Sequence, residues 1–203
     1  MKTFIQIFLI LSGVIFLLPA CTNEDEFTNS SYQDQTYQLK SGITDSQMEE
    51  IIDSIDKYLG INVRSGPIDL TEEQAKEILQ PLTDDGMQIR DDMLESAEEL
   101  NLTQEEIAYL QSMKGDELAA LSFTTMQLGH VELQQVTKDK FVDCLFQVIG
   151  LDELEDVKDV IIGTNDLMKA KKAIKIAKAL SKRFFGYIGM MITVIEFTDC
   201  INS

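Results

Sequence analysis

Few residues in this chain could do covalent or acid–base chemistry. His130 is the single histidine, cysteines stand at positions 21, 144 and 200, and 35 Asp and Glu outnumber 17 Lys and Arg. One imidazole excludes a zinc site built from several histidines, and it makes any Ser-His-Asp or Cys-His arrangement depend on His130, which has no partner motif. The sequence has no Gly-x-Ser-x-Gly, no glycine-rich phosphate loop and no Cys-x-x-Cys. The acidic clusters Asp84-Asp85-Gly86 and Asp152-Glu153-Leu154-Glu155-Asp156 lack the alternating oxygen ligands and closing Glu of a calcium loop. Both read as solvated helix starts, where carboxylates meet the positive end of the dipole. Asp91-Asp92, Glu98-Glu99 and Glu105-Glu106 read as a wet face, and His130 as a surface or hydrogen-bonded side chain. The expectation is a non-catalytic protein with no metal and no cofactor.

At the amino end, Lys2 precedes an uncharged apolar run from Phe4 to Leu18, followed by Leu18-Pro19-Ala20-Cys21. A charged start, an apolar middle and a small residue before a cleavage point are the parts of an export signal. The run is shorter than the ~20 residues that cross a hydrocarbon core. A cysteine directly after a small residue resembles the lipobox of bacterial lipoprotein precursors. That resemblance implies cleavage after residue 20, a diacylglycerol on Cys21 and attachment to the outer membrane through the lipid. Thr22-Asn23-Glu24-Asp25-Glu26 resembles the acidic export tract of Bacteroidota surface lipoproteins of unknown function. An acidic tether that is merely solvated and faces the periplasm is the other reading. With Cys21 given to the lipid, Cys144 and Cys200 form an even pair in an oxidising compartment. A disulfide between them is expected, against the alternative of two separate buried thiols. In the entropic account it would constrain the unfolded chain by roughly 4 kcal/mol.

Three segments follow: a cleaved signal (1–20), a flexible acidic tether (21–43) and an all-helical domain (44–203). The tether is rich in Thr, Asn, Ser, Gln and acids, with no apolar face whose burial could offset the entropy of ordering it. Beyond it, Thr44 with Gln47, Thr71 with Gln74 and Thr103 with Glu106 are capping-box pairs. Apolar stripes at helical spacing predict a first helix stopped by Gly60 and a second broken by Pro81 and Asp84-Asp85-Gly86. A third runs to Leu100, a fourth to about Gly115 and a less regular fifth to about Val136. Further helices are expected around Cys144, from Leu154 to Ile161, up to Arg183 and from Gly186 to Ile201. The fold class is all-α: a single bundle of about seven to eight short helices.

The segment above background is Asp166 to Arg183. Its apolar half carries Ala170, Ala173, Ile174, Ile176, Ala177 and Leu180, continued by Phe184; the other carries Lys171, Lys172, Lys175, Lys178, Lys182 and Arg183, with Lys169 among the apolar positions. Such a helix either lies in an anionic membrane surface or packs in a core with its lysines toward acidic neighbours. The uncharged stretch from Phe184 to Ile195 reads as a central buried helix. Residues 166–203 together are similar in composition to bacteriocin-like secreted peptides masked by an acidic leader, which leaves a detachable membrane-active segment as an alternative function. The leading expectation is a lipid-anchored module binding an unknown protein or a cationic ligand. A formal charge of −18 excludes nucleic acid as a partner.

Overall fold

The computed structural model describes residues 39–65, 70–150, 166–183 and 185–203, and among them it forms helices and connections with no strand. The helices are α1 (Asp45–Ser65), α2 (Glu72–Glu95), α3 (Gln104–Ser112), α4 (Gly115–Glu132), α5 (Lys138–Ile149), α6 (Asp166–Arg183) and α7 (Gly186–Asn202). The chain is therefore an all-α bundle. Cys21, residues 1–38, the helix expected from Leu154 to Ile161, and Phe184 lie outside the described residues.

Local chemistry sets the helix starts. Thr71 and Thr103 are extended and accept the backbone N–H of Gln74 and Glu106, while those side chains accept the N–H of the capping threonines. Thr44 and Gln47 make the same reciprocal pair ahead of α1. Each box satisfies donors that a helix start leaves without partners, typically about 1 kcal/mol for the cap. Thr137 caps α5 through the N–H of Lys140, and Gly150 ends that helix at φ 90°.

Two expected breaks do not occur. α1 continues past Gly60 to Ser65, and α2 runs through Pro81 and Asp84-Asp85-Gly86 without interruption. Pro81 and Glu77 are exposed, so the backbone acceptor that loses its donor lies on the wet side of the helix. On the dry side, Leu79, Leu82, Ile89 and Met93 continue one buried face across the supposed break, and that burial outweighs the local cost. Gly86 is a point of contact between backbones: a Cβ there would lie 1.9 Å from the carbonyl oxygen of Leu118 in α4.

The central helix is α4, not α7, which carries the uncharged stretch up to Ile195. Every residue from Leu118 to Leu128 is buried, including Ser122, Thr124, Thr125 and Gln127. Packed by α2, α6 and α7, α4 has no wet face and so no clean apolar stripe. Its polar groups are partly met internally: Thr125 donates to the Leu121 carbonyl at 2.8 Å, and Ser122 donates to Asp85 at 2.6 Å. In α7, Met190, Met191, Thr193, Val194 and Phe197 are buried, whereas Ile188, Ile192 and Ile195 are only half-buried.

Phe197 joins three helices, its ring edge-on to Phe123 of α4 at 5.5 Å and to Phe141 of α5 at 5.6 Å. Beside it, the sulfurs of Cys144 in α5 and Cys200 in α7 lie 2.09 Å apart, at disulfide distance. The start of α7 is held by carboxylates from elsewhere. Glu72 accepts the N–H of Tyr187 at 2.8 Å and Asp116 that of Gly186 at 3.1 Å, each favourable at a helix amino terminus.

The end of the expected tether belongs to the body. Leu39 is buried, Ser41 donates to Asp85 at 2.8 Å, and the N–H of Gly42 donates to the same carboxylate at 2.7 Å. With Ser122 as a third donor, Asp85 binds residues 41–42 to α2 and α4. Burial of Leu39 and these charge-assisted bonds supply the ordering energy that composition alone does not reveal.

Candidate binding clefts at the end of the central helix

Two clefts, of about 460 and 560 Å³, flank the carboxyl-terminal turn of α4. They share Glu132, the last residue of α4, and Lys169, near the start of α6. These two side chains form an ion pair at the boundary of the clefts. Both volumes fall in the range of small-molecule sites, about 300–1,000 Å³.

The smaller cleft is bordered by residues 39–43, which the Asp85 bonds hold in place, and by Met126, Gly129 and His130 of α4. His130 Nε2 lies 3.0 Å from Asp45 Oδ1, joining the end of α4 to the start of α1. The sole histidine thus has a carboxylate partner, and the pair links two helix ends, with the Asp45 carboxylate in the first turn of α1, where a negative charge suits the dipole. Gly129 opens onto space: a Cβ there would meet nothing within 4 Å.

The larger cleft lies between the end of α4, the connection to α5 and the first turns of α5 and α6. Leu128, Val131, Val136 and Phe141 provide its apolar lining. Gln134, at φ 58°, turns the connection through the left-handed region, and the His130 carbonyl accepts the N–H groups of Gln135 and Val136. Lys138, Lys169 and Lys172 converge on this cleft. Lys172 is only 5% exposed. Burial holds its ammonium below the ordinary lysine value, and the positive charges of Lys138 and Lys169 add to the effect.

The basic residues of α6 do not form one uniform face. Lys172 is the correction: it lies inside, because α6 meets α4, α3, α5 and α7 and buries more than half its circumference. Lys171 is half-buried, and Lys175 and Lys182 are exposed. Lys178 pairs with Glu105 at 3.2 Å and stands 5.3 Å from the centre of the Tyr109 ring, a cation–π contact with α3. Arg183 donates to the Ile149 carbonyl at 2.5 Å, tying α6 to the end of α5. The structure therefore disperses the six expected contact residues among a cleft, two interhelix contacts and solvent. Lys138, Lys169 and the apolar residues around them were not among the sequence candidates. The available signal was the spacing of Lys169, Lys172 and Ile176, which share one side of a helix.

Among the described residues, no group of three His, Cys, Asp or Glu side chains is placed to hold a metal ion. Nor is any single described helix long and apolar enough to cross a membrane; α6 and α7 pass that test only as a pair bent by 115°. Compared with protein-family models, curated proteins and solved structures, the chain matches none.

Proposed function

We propose that this is a lipid-anchored cell-envelope protein whose helical body is a non-catalytic ligand-binding module. The observation that carries the binding role is the cleft pair at the end of α4, where a closed helical core leaves space lined by apolar groups and charged side chains. The anchor rests on Leu18-Pro19-Ala20-Cys21 and the apolar run before it, together with the acidic tract at residues 24–26. The packing of α6 and α7 favours a binding body over a masked membrane-active tail. Release of residues 166–203 would expose Ala173, Ile176, Ala177, Val194 and Phe197, strip α4 of two neighbours and part Cys144 from Cys200.

The anchor is tested by mass spectrometry of the Cys21 peptide from the envelope fraction, with protease added to intact cells to read orientation. The expected result is a diacylglycerol mass on Cys21 and a soluble protein on Cys21→Ser substitution. An unmodified Cys21 at a mature amino terminus would overturn the anchor.

A further inference from the structure

One side of the smaller cleft is not helical. Leu39, Lys40, Ser41 and Ile43 line it there, and Met126, Gly129, His130 and Leu133 line it at the end of α4. Among the described residues, no backbone-to-backbone hydrogen bond ties residues 39–43 to a helix. They are held instead by the side chains of Leu39 and Ile43 at the edge of the core and by one carboxylate. Asp85 accepts from Ser41 Oγ at 2.8 Å and from the N–H of Gly42 at 2.7 Å, and Ser41 Oγ in turn accepts the N–H of Ile43 at 3.1 Å. Position 42 is shaped for this contact, because a Cβ there would lie 2.9 Å from Asp85 Oδ1. A segment fixed by so few contacts opens at a smaller free-energy cost than the helices it lies on.

We propose that residues 39–43 are a releasable strap: latched on Asp85 they close one side of the smaller cleft, and unlatched they open it. Leu39 follows directly on the chain that leads back to Cys21, so a displacement of that chain reaches the latch before it reaches any helix. Asp85 is suited to be the fixed half of the latch. It stands on α2 next to Gly86, where the backbones of α2 and α4 meet, and Ser122 of α4 donates to it as well. Opening takes Leu39 and Ile43 out of the cleft wall and clears the way to Met126, which is 5% exposed while the strap is closed. The inference rests on the binding-module reading for what the opening serves; the movement of the strap stands without it.

The test uses the chain from residue 21 onward, with Cys21→Ser, and trypsin as the probe, because Lys40 is exposed and is the only basic residue between positions 22 and 56. A protease needs several residues freed on each side of the bond it cuts, so the rate of cleavage after Lys40 reads the open population of the strap. Asp85→Asn should raise that rate at least tenfold and Ser41→Ala at least threefold. The double variant should be cut no faster than Asp85→Asn, since both substitutions act on one latch. Asp85→Asn also weakens the bond from Ser122, whereas Ser41→Ala touches the strap alone and should leave hydrogen exchange of Leu118–Leu128 in α4 as in the wild type. Anilinonaphthalene sulfonate, an apolar dye, reads the cleft: its apparent affinity should rise by the same factor as the cleavage rate, because it binds the open state. Gly129→Leu, which sets a side chain in the open cleft, should cancel the gain in dye affinity without slowing the cut. An unchanged rate after Lys40 in both latch variants overturns the strap and leaves the binding-module reading as it stands. A raised rate with no gain in dye affinity overturns the gating of the cleft and removes this cleft from the binding-module reading. Neither result bears on lipid at Cys21.

Discussion

Two glycines in neighbouring helices have opposite prospects when a methyl group is added. At Gly86 the new Cβ would sit 1.9 Å from the Leu118 carbonyl oxygen, so α2 and α4 must part along their main contact. Overpacking of this kind costs about 1–3 kcal/mol or more, and Gly86→Ala should lower the urea midpoint accordingly. At Gly129 the Cβ meets open cleft inside a helix, and removal of glycine's backbone freedom should raise stability by about 0.5–1 kcal/mol. Equal effects of the two substitutions in urea unfolding would refute this assignment. Neither role could be read from the sequence, where both glycines look like helix interruptions. What separates them is which neighbour the missing side chain would strike. Asp85 is a similar case: in sequence it belongs to an acidic cluster, and only the fold reveals that it gathers Ser41, Gly42 and Ser122.

The Cys144–Cys200 contact fastens α5 to α7 across 56 residues of chain. If it is a disulfide in the native protein, opening it should cost roughly 4 kcal/mol in the entropic account, or roughly 10 °C in melting temperature for a domain of this size. Cys200→Ser is the better variant, since Cys200 is half-buried whereas Cys144 is fully enclosed. The drop should appear in oxidising buffer and vanish when reductant is added to both proteins; identical melting of the wild type with and without reductant would mean free thiols. The pairing was legible because two cysteines remained once Cys21 was assigned. The capped starts of α2 and α3 were legible too, because a threonine and a residue three positions later decide them locally. The continuity of α2 was not, since burial against α4 decides what happens at Pro81. For the same reason α4 looked irregular: a helix enclosed on all sides loses the periodic signal by which an amphipathic helix is recognised.

At the scale of the whole molecule, the formal charge of −18 sets up self-repulsion that the few described ion pairs do not offset. Salt screens exposed charges over about 8 Å at physiological ionic strength. It should therefore weaken repulsion more than it weakens pairs such as Lys178 with Glu105. The melting temperature should rise by a few degrees between about 10 and 300 mM sodium chloride, measured by circular dichroism. A fall would show that the pairs outweigh the repulsion. Overall charge was legible from composition, and it pointed toward a cationic ligand. The clustering of lysines at one cleft was not, because Lys138 lies more than thirty residues before Lys172 and only the return of α6 alongside α5 brings them together.

The carboxylates of Glu72 and Asp116 at the start of α7 also bear on the order of assembly during synthesis. Both acids leave the ribosome long before the backbone groups they hold, and Phe123 and Phe141 likewise await Phe197. A nascent chain that has reached α6 therefore has its middle made but its keystone missing. Completion therefore comes late and all at once, when the last helix delivers Gly186, Tyr187 and Phe197 to groups that were made long before.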